Sequence, residues 1–337
     1  MNNRFLYSIL SALFGIICTS PAFAEHPWKD APQQAKIVAD TPFPGIKTSS
    51  LIELSASRLL ALTETGAPVV LNPETGTVSS LVPSHKPNNI PALSTLTYDQ
   101  TYVWGITAKA PFQLLKLSKT GQLIQTISLE ESIQKNSHLT AVAISQNFAF
   151  IADEGNPALI ALSLETRKSN RFLSYDISLK GHRPLLQNHS LHTGKDNLPV
   201  SGGNIRYLAL SPHSHWLFYA AASGPLYRID TTLLTDPNFT PVEQLDGIVQ
   251  WRDTPSLGGI SLSNQNLFFF SDITNGALLA FGPERTPLIM LHDPRFINAG
   301  ALTPTENNQV MVFTTEANVP HILKIALPST SVIMQKL

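Results

Sequence analysis

The chain has 337 residues, of which 43% are hydrophobic and only 14% are charged, with 25 prolines and a formal net charge of −1. So few charged residues argue against a disordered or coiled-coil chain, and so many prolines argue against long helices. No basic block supplies the positive charge that binding to nucleic acid requires, so we expect no nucleic-acid partner.

The first 24 residues are typical of a signal peptide. Arg4 precedes an apolar run from Phe5 to Cys18, and Ala22-Phe23-Ala24 matches a signal-peptidase cleavage site. About 14 apolar residues are too few to span a bilayer of roughly 30 Å, so we expect no membrane anchor after cleavage. Cys18 is the only cysteine. We therefore expect a secreted or periplasmic monomer, a single domain from residue 25 to 337 that is stabilised without disulfides.

A pattern of three strands recurs six times along the mature chain. The second strand of each copy is apolar at nearly every position, and the residues just before these six strands are Arg58, Thr101, Asn147, His215, Asn266 and Gln309. Most of these positions are about 40 to 50 residues apart, which is the length of one β-propeller blade. Radial packing of blades buries both faces of each sheet. The sequence therefore predicts an all-β fold, a six-bladed β-propeller with four-stranded blades.

One interval is longer than the others and predicts an insertion at about residues 170–203, between blades 3 and 4. It contains His182, His189 and His192 among glycines and prolines. These histidines lack a helix and a carboxylate at fixed spacing, so the segment reads as a surface lid rather than a zinc site. A terminal strand, either Lys36 to Asp40 or Ser331 to Leu337, is expected to complete the last blade.

Several runs of residues fall in a recognisable order along the chain: Ile151 to Ile160, Leu208 to Pro212 with Trp216 to Tyr219, Gly259 to Leu262, and Asp293-Pro294-Arg295. In order and spacing these runs resemble the major royal jelly protein and yellow family in its bacterial branch. The resemblance implies a propeller; the family includes secreted proteins that bind biogenic amines and proteins linked to dopachrome conversion. More distantly, the layout is similar to calcium-dependent lactonase propellers of the gluconolactonase type.

The channel mouth is expected where first strands begin and second strands end, because side chains from all blades converge there. At the starts of the first strands stand Ser50, Ser94, Thr140, Arg206, Gly258 and Asn298. None of these is acidic, whereas calcium needs several hard oxygen ligands with negative charge. We therefore predict that calcium is not obligatory, and we expect neither a metal nor another cofactor.

A second column stands near the ends of the second strands and is more acidic. It consists of Glu64, Thr107, Asp153, Ala221, Asp272 and Thr315. Together with Glu154 and Asn156, these acids predict an electronegative mouth suited to an ammonium group. The alternative is that the acids are turn residues. The expected ligand-binding residues are Asp153, Glu154, Asn156, Arg206, Asp272, Asn298, Thr140 and Glu64.

The sequence favours a propeller that binds a small cationic or aromatic molecule, such as an amine or an amino-acid-like compound, at the channel mouth. Asp153 and Asp272 would take its ammonium group and Arg206 its carboxylate. One alternative is an enzyme of the lactone-hydrolase or dopachrome-tautomerase type, and another is a protein-interaction scaffold. Motifs for a nucleophile elbow, a phosphate-binding loop or a zinc protease are absent, so no catalytic residue is assigned.

Overall fold

The computed structural model describes residues 27–46, 48, 50–81, 90–282 and 287–329, and most of them lie in short antiparallel strands. Two strands precede the first blade, β1 (Lys29–Asp30) and β2 (Lys36–Pro42). Blade 1 contains β3 (Ile52–Ser55), β4 (Arg58–Leu62), β5 (Pro68–Asn72) and β6 (Thr77–Ser80). Blade 2 contains β7 (Leu93–Tyr98), β8 (Val103–Thr107), β9 (Gln113–Leu117) and β10 (Leu123–Ser128). Blade 3 contains β11 (Leu139–Ile144), β12 (Phe148–Asp153), β13 (Ala158–Ser163) and β14 (Ser169–Phe172).

The second half of the chain forms the other three blades. A small hairpin comes first, with β15 (Leu186–Gln187) and β16 (Ser190–Leu191). Blade 4 contains β17 (Ile205–Leu210), β18 (Trp216–Ala221), β19 (Leu226–Asp230) and β20 (Val249–Arg252), with helices α1 (Thr232–Thr235) and α2 (Pro241–Asp246) between its last two strands. Blade 5 contains β21 (Leu257–Leu262), β22 (Phe268–Asp272), β23 (Ala277–Phe281) and β24 (Pro287–His292). Blade 6 contains β25 (Leu302–Thr305), β26 (Gln309–Glu316) and β27 (Val319–Ala326).

The predicted six-bladed β-propeller is confirmed. Each blade is an antiparallel meander, and the last blade is completed by β2, which pairs with β27. The ring is therefore closed by the predicted N-terminal strand, Lys36 to Asp40, which forms most of β2. The other candidate, Ser331 to Leu337, lies outside the described residues. The short strand β1 adds a parallel fifth strand to blade 5, beside β24.

The core consists of apolar clusters at the interfaces between neighbouring blades. Between blades 4 and 5, for example, Phe268, Phe270 and Phe281 stack with ring centroids about 5.5 Å apart, and Phe218 packs edge-on against Phe268. Because a blade is covered on both sides, its second strand is buried at successive positions, as in Val103–Thr107 and Phe268–Asp272. This burial accounts for the continuous apolar runs in the sequence.

The segment 173–204 crosses one end of the propeller. It starts later than the predicted insertion, because Asn170 belongs to the fourth strand of blade 3. Its backbone and side chains bond to the rim of three blades: Arg183 to Ser223 O and Thr254 O in blade 4, Asn188 N to Ile273 O in blade 5, and Gln187 Nε2 to Ile297 O beside blade 6. We call this end, where second strands finish, the upper mouth; the opposite end is the lower mouth.

None of the helices among the described residues is long and apolar enough to cross a membrane.

Candidate functional site

Asp153 lies at the upper mouth, but its carboxylate is fully bonded within the protein. The side chain is 0% exposed. Its Oδ1 accepts the backbone N–H groups of His138 and Asn156, and its Oδ2 accepts bonds from Ser137 Oγ at 2.6 Å and Arg171 Nη1 at 2.8 Å. Asp153 therefore shapes a turn and neutralises a buried arginine, which is the turn alternative rather than the ligand site.

Asp272 occupies the same position in blade 5 and is 1% exposed. Its Oδ1 accepts the backbone N–H groups of Thr274 and Asn275, and its Oδ2 accepts a bond from Asn275 Nδ2 at 2.6 Å. Burial raises the pKa of this carboxyl, although these hydrogen bonds act in the opposite direction. Both rim aspartates are thus buried turn residues, so the expected electronegative upper mouth does not form around them.

Glu154 and Arg206 do meet at the upper mouth. Arg206 donates from Nη2 (2.9 Å) and Nε (3.2 Å) to Glu154 Oε1, and His138 Nδ1 lies 3.4 Å from Glu154 Oε2. The Glu154 side chain is 13% exposed, against 49% for Arg206 and 62% for His138. Burial alone would raise the pKa of Glu154, but the bonds from His138 and Arg206 lower it. The hydrogen bond between His138 and Glu154 raises the pKa of His138.

The other predicted site residues are dispersed around the upper rim. Asn156 donates to Lys135 O and accepts from the Tyr175 hydroxyl, and Thr140 Oγ1 is 3.5 Å from Ile205 O. Asn298 ends a 3-10 turn before β25 and accepts a bond from Gln187 Nε2. Glu64 is exposed in the turn after β4. The structure therefore brings together Thr140, Asp153, Glu154, Asn156 and Arg206 near blades 3 and 4, and leaves Asp272, Asn298 and Glu64 on other blades.

A large cavity opens at the lower mouth, the end at which the sequence predicted no site. It has a volume of about 1120 Å³ and is lined by residues at the ends of the first strands and in the hairpins that follow them. Hydroxyl and amide side chains make up much of the wall: Thr97, Gln100, Ser145, Gln146, Ser211, Ser261, Ser263, Asn264 and Gln265. Such a polar, concave space is where a small ligand can exchange its water shell for fixed hydrogen bonds.

Glu53 is a partly buried carboxylate on the wall of this cavity. It lies on β3, a channel strand, and its Oε2 accepts the backbone N–H of Glu306 at 3.0 Å. Burial raises the pKa of Glu53, and the carboxylate of Glu306 raises it further, whereas the bond from the Glu306 N–H acts in the opposite direction. Glu53 was not predicted. Its signal in the sequence is a single acid in an otherwise apolar first strand, Leu51 to Leu54.

Aromatic side chains line the same cavity on the side of blade 2. Tyr98, Tyr102 and Trp104 contribute to the wall, and Trp104 Nε1 donates to Asp99 Oδ2 at 2.7 Å. The Lys116 ammonium lies 3.8 Å from the Tyr102 ring centroid, so this wall already holds one cation against an aromatic face.

A family model described as Major royal jelly protein matches residues 106–287, which span blades 2 to 5 and more than half of the chain. The chain belongs to this family. The suspected relationship is therefore confirmed. No curated protein matches the sequence.

Solved structures similar to this royal jelly family propeller have diverse functions. A gluconolactonase from Xanthomonas campestris aligns with a TM-score of 0.54 and 10% identity, over 90% of this chain and 97% of that one. Virginiamycin B lyase from Staphylococcus aureus aligns with a TM-score of 0.50 and 12% identity, over 88% of this chain and 100% of that one. The WD40 propeller domain of Doa1 aligns with a TM-score of 0.53 and 8% identity, over 88% of this chain and 98% of that one. At such low identity the likeness shows the fold alone.

One group of side chains in this royal jelly family propeller has the spacing of a metal site, at the edge of blade 6. Asp40, Glu316 and His321 have donor atoms within 4.8 Å of one another. However, Asp40 Oδ2 accepts a bond from Arg295 Nη1 at 2.7 Å, and Asp40 Oδ1 lies 2.7 Å from His321 Nδ1. A guanidinium bonded to the central carboxylate opposes a metal cation, so this cluster is better described as an ion-pair network. The expectation that no metal is needed stays a prediction.

Proposed function

We propose that this propeller binds a small organic molecule with a positively charged group, and that it does so in the lower mouth of the channel. The expected ligand class is kept, but the site moves to the other end, because Asp153 and Asp272 are buried and bonded at the upper mouth. The observation that carries the proposal is Glu53, a partly desolvated carboxylate in the wall of the cavity at the lower mouth.

Several features of the lower mouth support this ligand class. Glu53 and Glu306 lie together, so two carboxylates face one space, and a ligand cation would relieve their mutual repulsion. Tyr98 and Tyr102 add aromatic surface to the wall for the rest of the ligand, and each ring also faces a lysine ammonium, Lys119 and Lys116 respectively. A concave pocket with a few charged side chains, one of them with a shifted pKa, is typical of a small-molecule site.

The test is the variant Glu53→Gln, which keeps the shape of the side chain and removes its charge. We expect tryptamine or tyramine to raise the melting temperature of the wild-type protein, because a ligand of the native state stabilises it by mass action. The shift should be lost in Glu53→Gln. Glu64→Gln, at an exposed carboxylate on the upper rim, is the matched control and should keep it. Equal shifts in both variants would remove the lower mouth from consideration.

A second candidate, an enzyme, is favoured by the contact between His138 and Glu154. A histidine beside a carboxylate is a common general-base arrangement, and here the pKa of His138 is raised. The segment 173–204 crosses the same mouth and would shield a reaction there from water. If the protein is such an enzyme, His138→Gln abolishes turnover of a lactone or dopachrome, whereas Glu53→Gln does not. Activity that persists in His138→Gln would exclude a catalytic role for His138.

We further propose that the protein is exported to the periplasm or the medium. The support is the signal-like sequence of residues 1–24, which lie outside the described residues. N-terminal sequencing of the protein recovered outside the cytoplasm should begin at Glu25.

A further inference from the structure

Blades 3 and 5 share the same turn at the end of their second strands. The turn is Asp153-Glu154-Gly155-Asn156 in blade 3 and Asp272-Ile273-Thr274-Asn275 in blade 5. In both, Oδ1 of the aspartate accepts the N–H of the asparagine, at 3.0 Å. In both, the aspartate pairs with the first residue of the third strand, Ala158 or Ala277. The two turns can therefore be compared position by position.

In blade 3 this turn holds a guanidinium group. Arg171 on β14 pairs with Ile160, two residues after Ala158, and its side chain reaches back to the turn. Nη1 donates to Asp153 Oδ2 at 2.8 Å, and Nη2 donates to Asn156 O at 2.7 Å. The planar fork of the arginine thus joins the buried carboxylate to a turn carbonyl, a geometry that an ammonium group cannot reproduce.

In blade 5 the corresponding position is isoleucine. Leu279, two residues after Ala277, pairs with Ile289 on β24, so Ile289 stands where blade 3 has Arg171. Isoleucine is shorter than arginine and has no donor. A separate cavity of about 730 Å³ lies at this place, and Asp272, Asn275, Leu279 and Ile289 are among its lining residues. Blade 5 thus has the buried turn carboxylate, but its fourth strand has no arginine at the position of Arg171, and a cavity lies there.

We propose that this cavity between blades 4 and 5 binds a small molecule that carries a guanidinium group, with the group placed as the Arg171 side chain is placed in blade 3. Asp272 Oδ2 is the acceptor that corresponds to Asp153 Oδ2. Among the described residues it accepts one side-chain bond, from Asn275 Nδ2, whereas Asp153 Oδ2 accepts two. Burial raises the pKa of Asp272, whereas its hydrogen bonds and the nearby His189 act in the opposite direction.

The other walls of the cavity suit the body of such a ligand. Leu279, Ile289 and Trp28 provide apolar surface for an alkyl chain. Arg252 also lines the space, together with His189, His292 and Asp253, and Asp253 already pairs with Arg183. The guanidinium of Arg252 disfavours a ligand with a second positive charge. The preferred ligand is therefore one whose only cationic group is the guanidinium. This site is separate from the lower mouth and does not depend on the function proposed there.

The experiment compares ethylguanidinium with propylammonium, which has similar size and the same charge but lacks the planar fork. Binding is followed by ligand-observed NMR titration of the whole mature protein. We expect ethylguanidinium to bind the wild-type protein at least about tenfold more tightly than propylammonium. Absence of ethylguanidinium binding, or equal binding of the two ions, would overturn the proposal.

The decisive variant is Ile289→Arg, which places an arginine where blade 3 has one. It should fill the cavity, bond to Asp272 and abolish ethylguanidinium binding, while the conservative control Ile289→Val keeps it. Unchanged binding in a folded Ile289→Arg protein would contradict the site. If Ile289→Arg does not fold, Asp272→Asn decides, because loss of the charged acceptor should weaken ethylguanidinium binding at least about tenfold; unchanged affinity in that variant would also overturn the proposal. Tryptamine binding at the lower mouth should be unaffected, which separates failure here from failure there.

Discussion

The two mouths of the channel use carboxylates in different ways. At the upper mouth, Asp153 and Asp272 end second strands and their oxygens accept backbone N–H groups of the turns that follow. At the lower mouth, Glu53 lies within a first strand and accepts one N–H, from the neighbouring blade. An aspartate at a strand end is used by its own turn, whereas an acid inside a channel strand has no local turn to serve. Position within the blade therefore decides how many hydrogen bonds each carboxylate already accepts from the protein itself.

The largest expected effect is the loss of the arginine at the upper mouth. Arg171→Met leaves Asp153 buried without its cation, which should lower the free energy of unfolding by about 3 to 5 kcal/mol. The measurement is urea denaturation of the protein. Arg206→Met is the matched control: its partner Glu154 also bonds to His138 and Arg206 is half exposed, so the loss should stay below about 1 kcal/mol. Equal losses would show that burial does not distinguish the two pairs.

A smaller effect is expected in the pH dependence of Asp272. Because burial raises its pKa in the folded protein, the folded state holds this proton more tightly than the unfolded state, whose value is about 3.9. Stability contributed by this group therefore falls as pH rises from about 4 through the raised pKa. Asp272→Asn removes the titration, so its stability relative to wild type should increase over that range and then level off. A difference that does not vary with pH would contradict the assigned shift.

The smallest effect concerns His138, which is mostly exposed. Its pKa is raised, chiefly by the hydrogen bond with Glu154, so it contributes stability below its ordinary value of about 6.5 that is lost as pH rises through the raised value. Thermal melts of His138→Gln should therefore fall below those of wild type at pH 5.5 to 6 and coincide with them at pH 8 to 9. Melting curves that differ equally at both ends would indicate a packing role instead.

Much of the fold could be predicted from the sequence, because blade packing leaves a direct signal. Runs such as Phe268 to Phe270 are apolar at every position only if both faces of the sheet are covered, and their spacing gives the blade number. Sequence reasoning also placed Arg206 and Glu154 at one mouth. The roles of Asp153 and Asp272 were harder to predict, because the Asp-x-x-Asn spacing suits both a ligand site and a turn. Only the hydrogen bonds of their Oδ1 and Oδ2 atoms decide between the two roles.

The lower mouth could not be found in this way. Glu53 becomes significant only when β3 lies beside the hairpin of blade 6 that contains Glu306, and this contact joins residues at opposite ends of the chain. The cavity beside Ile289 could not be predicted from the sequence either. It depends on the register between β23 and β24, where one residue of β24 bulges out of the pairing, and no spacing in the sequence reports that bulge.

The pairing of β2 with β27 sets the order in which the chain can finish folding. The strand Lys36–Pro42 is made long before its partner Val319–Ala326, because most of the propeller lies between the two strands in the sequence. Until β27 has been made, β2 has no strand to pair with and the ring of blades stays open. Contacts between such distant segments are slow to form. A chain built in this way remains incompletely folded until β27 has been made, because the N-terminal part alone cannot close the ring.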